Sequence, residues 1–440
     1  MKSLLTALSL TLLAAPAFTQ DAPKPETEKR IADLERKLDI LTNELEGQKT
    51  GSVVSGAKGE GKYGLGPAAS RVYEVKGGLS LSGYGEMIYE NFDSKLENGT
   101  YNPRSNGLDF VRQIIYLGYK FNERIVFNAE IEFEHGKTSG AQIVTKTGAN
   151  VTDVKQKDPG EVSVEFAYLD FLVTKAFNVR AGMMLVPMGF INEMHEPPTF
   201  LGAKRPFLEQ QLIPTTWREN GVGVHGELPA NLSYRLYLVN GMDASRFTKS
   251  GIRGGRQNGA SALAESLAWT GRLDWNPVPG AVLGVSFYHG NSQQADNLPS
   301  LTTKLFDFHG EYRFRGLQTR LLVVRGSHNA GGLTALPSAS SVRQLGTEQK
   351  GHYLEVGFDV LSLMDSKQAL IPFIRTESLN PQAEAIPGVT LDKALDQKVL
   401  TYGVVYKPIP QVALKADMNR IRNGAETGRN QFNLGITYYF

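Results

Sequence analysis

Glu193, His195 and Glu196 fall within one hexapeptide, EMHEPP (193–198). Two carboxylates and an imidazole at this density are donor types that a zinc ion takes. The spacing is not that of a His-Glu-x-x-His helix, and Pro197 and Pro198 forbid the helix such a motif needs. The sequence therefore assigns no metal here and no cofactor. His289 and His309 sit on neighbouring predicted strands without a carboxylate and hydroxyl that can be aligned with them. No Gly-x-Ser-x-Gly elbow occurs, so a membrane-surface hydrolase is the weakest functional class.

The chemistry the remaining charges can do is electrostatic. In ERIVFNAEIEFEHG, Glu130, Glu132 and Glu134 alternate with Ile125, Phe127, Ala129, Ile131 and Phe133. In EVSVEFAY, Glu161, Ser163 and Glu165 oppose Val162, Val164, Phe166 and Tyr168. In KLFDFHGEYRF, Asp307, His309, Glu311 and Arg313 oppose Phe306, Phe308, Tyr312 and Phe314. Only a strand sorts residues with period 2 in this way. The same parity puts Arg112, Lys120, Arg180, Arg235, Arg272, Arg313, Arg320, Arg375 and Lys415 on the polar side. Acidic sides such as that of Glu130, Glu132 and Glu134 need water, and the lumen of a wide barrel holds it.

Sixteen strands carry these faces, near 79–90, 108–121, 125–135, 161–173, 177–186, 220–228, 231–239, 269–276, 281–289, 304–314, 317–326, 352–363, 369–378, 398–406, 411–419 and 431–440. Short links at one end alternate with long loops at the other, among them 91–107, 136–160 and 187–219. That alternation is the arrangement of a membrane barrel. A sandwich would rarely keep it over so many strands, and a solenoid would show a fixed repeat, which is absent. The expected fold is all-β: a 16-stranded antiparallel transmembrane β-barrel over 79–440. In QFNLGITYYF, Phe432, Leu434, Ile436, Tyr438 and Phe440 form the lipid side of the last strand, which pairs with the first and leaves no edge.

Ahead of the strands, residues 1–20 read as a secretory signal. Within 27–46, Ile31, Leu34, Leu38, Leu41 and Leu45 step by heptads, the seam of a short coiled-coil helix. Residues 47–78 read as a Gly-rich linker. With an even strand number the coil lies in the periplasm. It serves as an aid to oligomerisation or a spacer, and a structural tether to the cell wall is the alternative. There is no cysteine, and the formal net charge of +2 gives no bulk attraction to nucleic acid.

The stretches GYKFNERIVFNAEIEFEHG and LVPMGFINEMHEPPTF…LIPTTWRENGVGV, the coil after a signal and the terminal aromatic resemble the phosphate-selective porin O and P family. The resemblance covers roughly 79–440. It implies a homotrimeric outer-membrane porin of Gram-negative bacteria, a passive channel for small hydrophilic solutes that prefers anions such as phosphate. It implies outer-membrane lipid and the barrel-insertion machinery as partners, the latter reading Tyr438 and Phe440 as part of a C-terminal insertion signal. It also implies that the third long loop folds into the barrel and narrows it. The prolines and aromatics of 187–219 suit a compact, ordered loop. Its charges are mixed: Lys204, Arg205 and Arg218 against Glu193, Glu196, Glu209 and Glu219. Basic wall residues facing an acidic loop would set a transverse field across the constriction. One departure from the family pattern is plain. The cations are spread over many strands, and Glu130, Glu132, Glu134, Glu161 and Glu165 crowd two neighbouring ones.

Overall fold

The computed structural model describes residues 61–136, 160–364 and 366–440, the backbone of 143–147 and 150–155, and Arg30, Asp33, Leu34 and Lys37. The expected signal over 1–20 and the coil seam at Ile31, Leu38, Leu41 and Leu45 lie outside these residues. Leu34 is helical and exposed.

The strands are β1 Gly78–Phe92, β2 Gly107–Asn122, β3 Ile125–Glu134, β4 Ile143–Thr147, β5 Asn150–Lys155, β6 Glu161–Leu172, β7 Asn178–Leu185, β8 Arg218–Leu228 and β9 Leu232–Asn240. They continue as β10 Leu267–Trp275, β11 Ala281–Asn291, β12 Thr302–Phe314, β13 Leu317–His328, β14 Glu348–Phe358, β15 Ala369–Glu384, β16 Gln397–Ile409, β17 Val412–Asn423 and β18 Asn430–Tyr439. All but β4 and β5 join one closed antiparallel barrel of 16 strands. β4 and β5 pair with each other, as a hairpin inside a segment that reads as a loop in the sequence. The strand expected over 352–363 ends at Phe358, and Val360–Leu363 form a 3-10 turn.

Closure is direct. Tyr84 to Phe92 of β1 pair with Tyr439 to Gln431 of β18. Beyond the ladder, the Phe440 amide donates to the Gly83 carbonyl at 2.9 Å. The short links use the chemistry tight turns require. Between β12 and β13, Arg315 and Gly316 both have positive φ, 46° and 87°, as a two-residue primed turn needs.

Outward side chains are apolar and uncovered: Trp269, Leu273, Trp275, Phe287, Phe306, Phe308, Ile374, Leu434 and Ile436 are all exposed. Their neighbours along each strand point inward and are largely polar, among them Asp307, His309, Arg375, Thr401, Asp417 and Asn433. A continuous apolar band of this size around a polar lumen is the surface that a bilayer covers.

The sequence parity breaks within β6. Across β3 and β6, Glu130 pairs with Phe166 and Ile131 with Val164, so Glu165 is an extra residue at a bulge. The bulge inverts the face that follows. Phe166 and Tyr168, expected on the lipid side with Val162 and Val164, are buried inside at 0% and 3% exposure.

Residues 61–77, within the stretch read as a linker, pack against the inner wall. Val72 lies against Gly118, where an added Cβ would meet the valine side chain at 2.6 Å. Asn128 donates to the Ala69 carbonyl, Ser82 donates to that of Ala68, and Tyr73 donates to Asp170 at 2.7 Å. Leu65, Ala68, Ala69, Val72 and Tyr73 are all buried.

Candidate functional site: a constriction fastened across the lumen

Residues 186–217, between β7 and β8, are too rich in proline to continue as strand. They coil into the lumen with one short helix, α1, Phe207–Gln211. Backbone groups of such an irregular segment need partners once they leave water. The inward face of the wall supplies them.

Near the start of the loop, the Gly189 amide donates to Asp307 of β12 at 3.0 Å. The loop's own Glu209 accepts from the amides of Phe190 and Ile191 and from the Tyr353 hydroxyl of β14. Further on, Arg320 of β13 donates to the Thr199 carbonyl at 3.0 Å, and Lys407 of β16 to that of Pro198 at 2.7 Å. Lys415 of β17 donates to three loop carbonyls, of Pro197, Phe200 and Gly202. The Ala203 amide donates to Asp417 at 2.6 Å, and the Leu208 amide to Glu377 of β15 at 2.9 Å. From the loop between β9 and β10, Arg253 and Arg256 donate to the carbonyls of Thr215 and Thr216.

Of the EMHEPP trio, only His195 joins a cluster. Its Nε2 lies 2.9 Å from Glu130 of β3 and 3.6 Å from Glu165 of β6. Its Nδ1 lies 3.1 Å from the Asn192 carbonyl. One donor atom from each of Glu130, Glu165 and His195 falls within 4.8 Å of the others, so these are the side chains that could hold a cation. Arg218 already pairs with Glu165 at 2.8 Å. Burial pushes the His195 pKa down, but the adjacent Glu130 carboxylate raises it more, and the net shift is upward. Glu193 turns to Arg235, at 3.2 Å. Glu196 turns to the entry segment and accepts the backbone amides of Ala68 and Ala69. Burial pushes the carboxyls of Glu196 and Glu209 up to about 7.

The inward cations are nearly all engaged. Arg112 meets Glu86, Glu132 and Glu134. Lys120 meets Glu123 and the Val75 carbonyl, and Arg180 meets Asp170. Arg235 and Arg272 share Asp274, and Arg313 and Arg320 share Glu311. Arg375 lies between Glu355 and Glu377. Lys204 of the loop reaches Glu90 at 2.5 Å. Glu161 stands exposed opposite Glu134. Glu219 accepts from Asn240 and Trp217. Arg205 is the exception in the loop: it has no ion pair among the described residues. At the last strand, the Tyr438 hydroxyl donates to Gln113, and Phe440 is exposed.

The expected field between a basic wall and an acidic loop is therefore replaced. Glu193, Glu196 and Glu209 are buried and act as fasteners, held by Arg235, by the Ala68 and Ala69 amides of the entry segment, and by the loop's own Phe190 and Ile191 amides, respectively. His309 also differs from expectation. It has carboxylates on both sides, Asp307 at 2.7 Å and Asp274 at 2.8 Å. Asp274 comes from β10, two strands away in barrel order, which a comparison of adjacent strands does not reach. Asp307, Tyr353, Lys407 and Asp417 are fasteners that the sequence reading missed. Inward parity was the one available signal for them.

No family model matches the chain. An uncharacterized protein of Aquifex aeolicus (strain VF5) is 36% identical over 386 residues, covering 86% of this chain and 83% of that protein. Among solved structures, a loop L8 deletion mutant of OmpT, an outer membrane protein of Vibrio cholerae, superimposes with a TM-score of 0.51 at 10% identity. The match covers 83% of this chain and all of that one. OmpF of Salmonella typhi, in complex with daunomycin, superimposes with a TM-score of 0.50 at 11% identity, covering 83% of this chain and 98% of that one. At these identities the likeness is one of fold, that of outer-membrane barrels.

Proposed function

We propose that this chain, which belongs to one family with the Aquifex aeolicus protein, is an outer-membrane porin through which small hydrophilic solutes diffuse. The observation that carries this reading is the proline-rich loop held across a charge-lined lumen by wall side chains. A fixed constriction inside a water-bearing barrel selects by size and by residual charge, and weak binding keeps flux possible.

The pairing of wall cations with carboxylates supports a modest charge preference over a phosphate-binding ladder. Arg112, Arg235, Arg272, Arg320 and Arg375 each have a carboxylate at hand. Arg205, half-buried in the loop, has no ion pair among the described residues, so its charge is the one left uncompensated to bias a passing anion. A homotrimer, a periplasmic coil over 27–46 and an insertion signal at Tyr438 and Phe440 belong to the same reading.

Single-channel conductance in a planar bilayer tests it, with the reversal potential measured in a salt gradient and phosphate added as competitor. Discrete conductance steps with a small anion preference are expected. Absence of conductance from folded protein rejects the porin, and cation preference rejects the role given to Arg205.

A further inference from the structure

The outer wall carries a row of cations that the lumen cannot use. On β11 to β17 the side chains at the long-loop end alternate outward as exposed bases: His289, Lys304, Arg325, Lys350, Lys398 and Arg422. The ladder sets them side by side. His289 is registered with Lys304, Arg325 with Lys350, and Lys398 with Arg422. Between the last two pairs runs β15, whose outward Ser378 lies opposite both His352 and Lys398.

Lys304, Arg325, Lys350 and Lys398 have no ion pair or hydrogen bond among the described residues, whereas Arg422 donates to the Ile421 carbonyl and to Asn430 and lies 3.6 Å from Glu97. This contrasts with the lumen, where nearly every cation is held by a carboxylate or a backbone carbonyl. Toward the middle of the barrel the next outward residues are Phe287, Phe306, Val323 and Leu400, while on β14 and β17 the exposed His352 and Arg420 precede Leu354 and Met418, so the row borders the apolar band. An open groove of ≈ 670 Å³ lies within it, lined among others by His352, Thr376, Ser378, Lys398, Arg420 and Arg422.

We propose that this row is a binding site for the phosphorylated headgroups of outer-leaflet glycolipid. Cations registered on adjacent strands stand about 5 Å apart at the backbone, close enough for two to share one phosphate. The pairs Arg325/Lys350 and Lys398/Arg422 flank the small Ser and Thr side chains of β15, which leave room for the sugar between them. Their height, at the border of the apolar band, is where headgroups lie. A second copy of the chain fits poorly, because contact cores between subunits are depleted of charge. Like charges registered along the row would also repel one another without an anion.

The test uses the full chain, folded in detergent, and the variant Lys304→Gln/Arg325→Gln/Lys350→Gln/Lys398→Gln. None of the four side chains supports the fold, and heat-modifiable gel migration checks that the variant barrel is closed. Native mass spectrometry titrates each protein with diphosphoryl lipid A, with its dephosphorylated form, and with inorganic phosphate as competitor. Wild type is expected to retain diphosphoryl lipid A, and the variant to bind it roughly a hundredfold more weakly, since each surface cation strengthens attraction to anionic lipid severalfold. Equal binding by the variant, or equal binding of the dephosphorylated lipid, overturns the proposal. Displacement by millimolar phosphate would make the row a free-anion site and also overturn it, as would a change of oligomeric size in the variant, which would mark a subunit contact. Conductance is read separately, and loss of lipid binding at unchanged conductance is the expected combination.

Discussion

Lys415 holds Phe200 twice: its ammonium donates to the Phe200 carbonyl at 2.6 Å and sits 4.2 Å from the centre of the phenyl ring. The same nitrogen donates to Pro197 and Gly202, so one wall residue fixes six residues of loop. Lys415→Met removes all three donors and leaves the carbonyls buried. A loss of about 2–4 kcal/mol in unfolding free energy is expected, since hydrogen bonds to charged groups are worth about 1.5–3 kcal/mol each and do not add fully. Single-channel traces should become noisier as the loop loosens. Unchanged noise and stability would show that Asp417 and Lys407 suffice.

His195 is the partner of a buried carboxylate. His195→Ala leaves Glu130 without its 2.9 Å neighbour at 0% exposure. Removing one member of a buried pair typically costs about 3–5 kcal/mol. The double variant Glu130→Gln/His195→Ala should recover much of that loss. Denaturant unfolding of the four proteins of this cycle measures the coupling.

The entry segment has its own lever. At Gly118 a side chain would collide with Val72, while the wall ladder around it stays paired. Gly118→Val is therefore expected to expel residues 61–74 from the wall, and deletion of 21–74 should reproduce its effect. Both should raise conductance if the segment narrows the passage. Conductance equal to wild type in both would confine the segment to a structural role.

Stability should fall as pH rises. Burial raises the carboxyls of Glu196 and Glu209 to about 7, above the unfolded value near 4.5. A carboxyl raised on folding gives its stabilisation below the unfolded pKa and loses it as pH passes through the folded one. His195, raised by Glu130 against the effect of burial, acts in the same direction at higher pH. Thermal unfolding should thus move to lower temperature between pH 5 and pH 8, and Glu196→Gln should flatten that slope. A slope of opposite sign would contradict the burial of these groups.

Strands and their order were legible because period 2 survives in nearly every one of them and because short and long links alternate. Asp307 and His309 could be placed inside from KLFDFHGEYRF alone. Parity failed where a bulge intervenes, since the extra residue at Glu165 leaves no mark in composition. Pairing across the lumen was illegible for a different reason. Which loop carbonyl meets Lys415 depends on the path of the loop, and the contact spans 213 residues of chain at Gly202. The Gly-rich composition of 47–78 pointed to freedom, yet Gly66 is small because Glu196 presses on it: a Cβ there would come within 2.4 Å of the carboxylate. At Gly64 and Gly66 glycine marks close approach.

The loop rooted between β7 and β8 is pinned to β15 and β17, which lie on the far side of the ring. Mechanically it is a cross-brace. A wide cylinder of strands resists shear through its ladder but flattens easily, and a chord fixed at opposite walls opposes that flattening. Lateral pressure from the surrounding lipid is then carried partly by hydrogen bonds of 2.6–2.9 Å inside the lumen. Cutting the chord should soften the whole cross-section, including strands that never touch the loop.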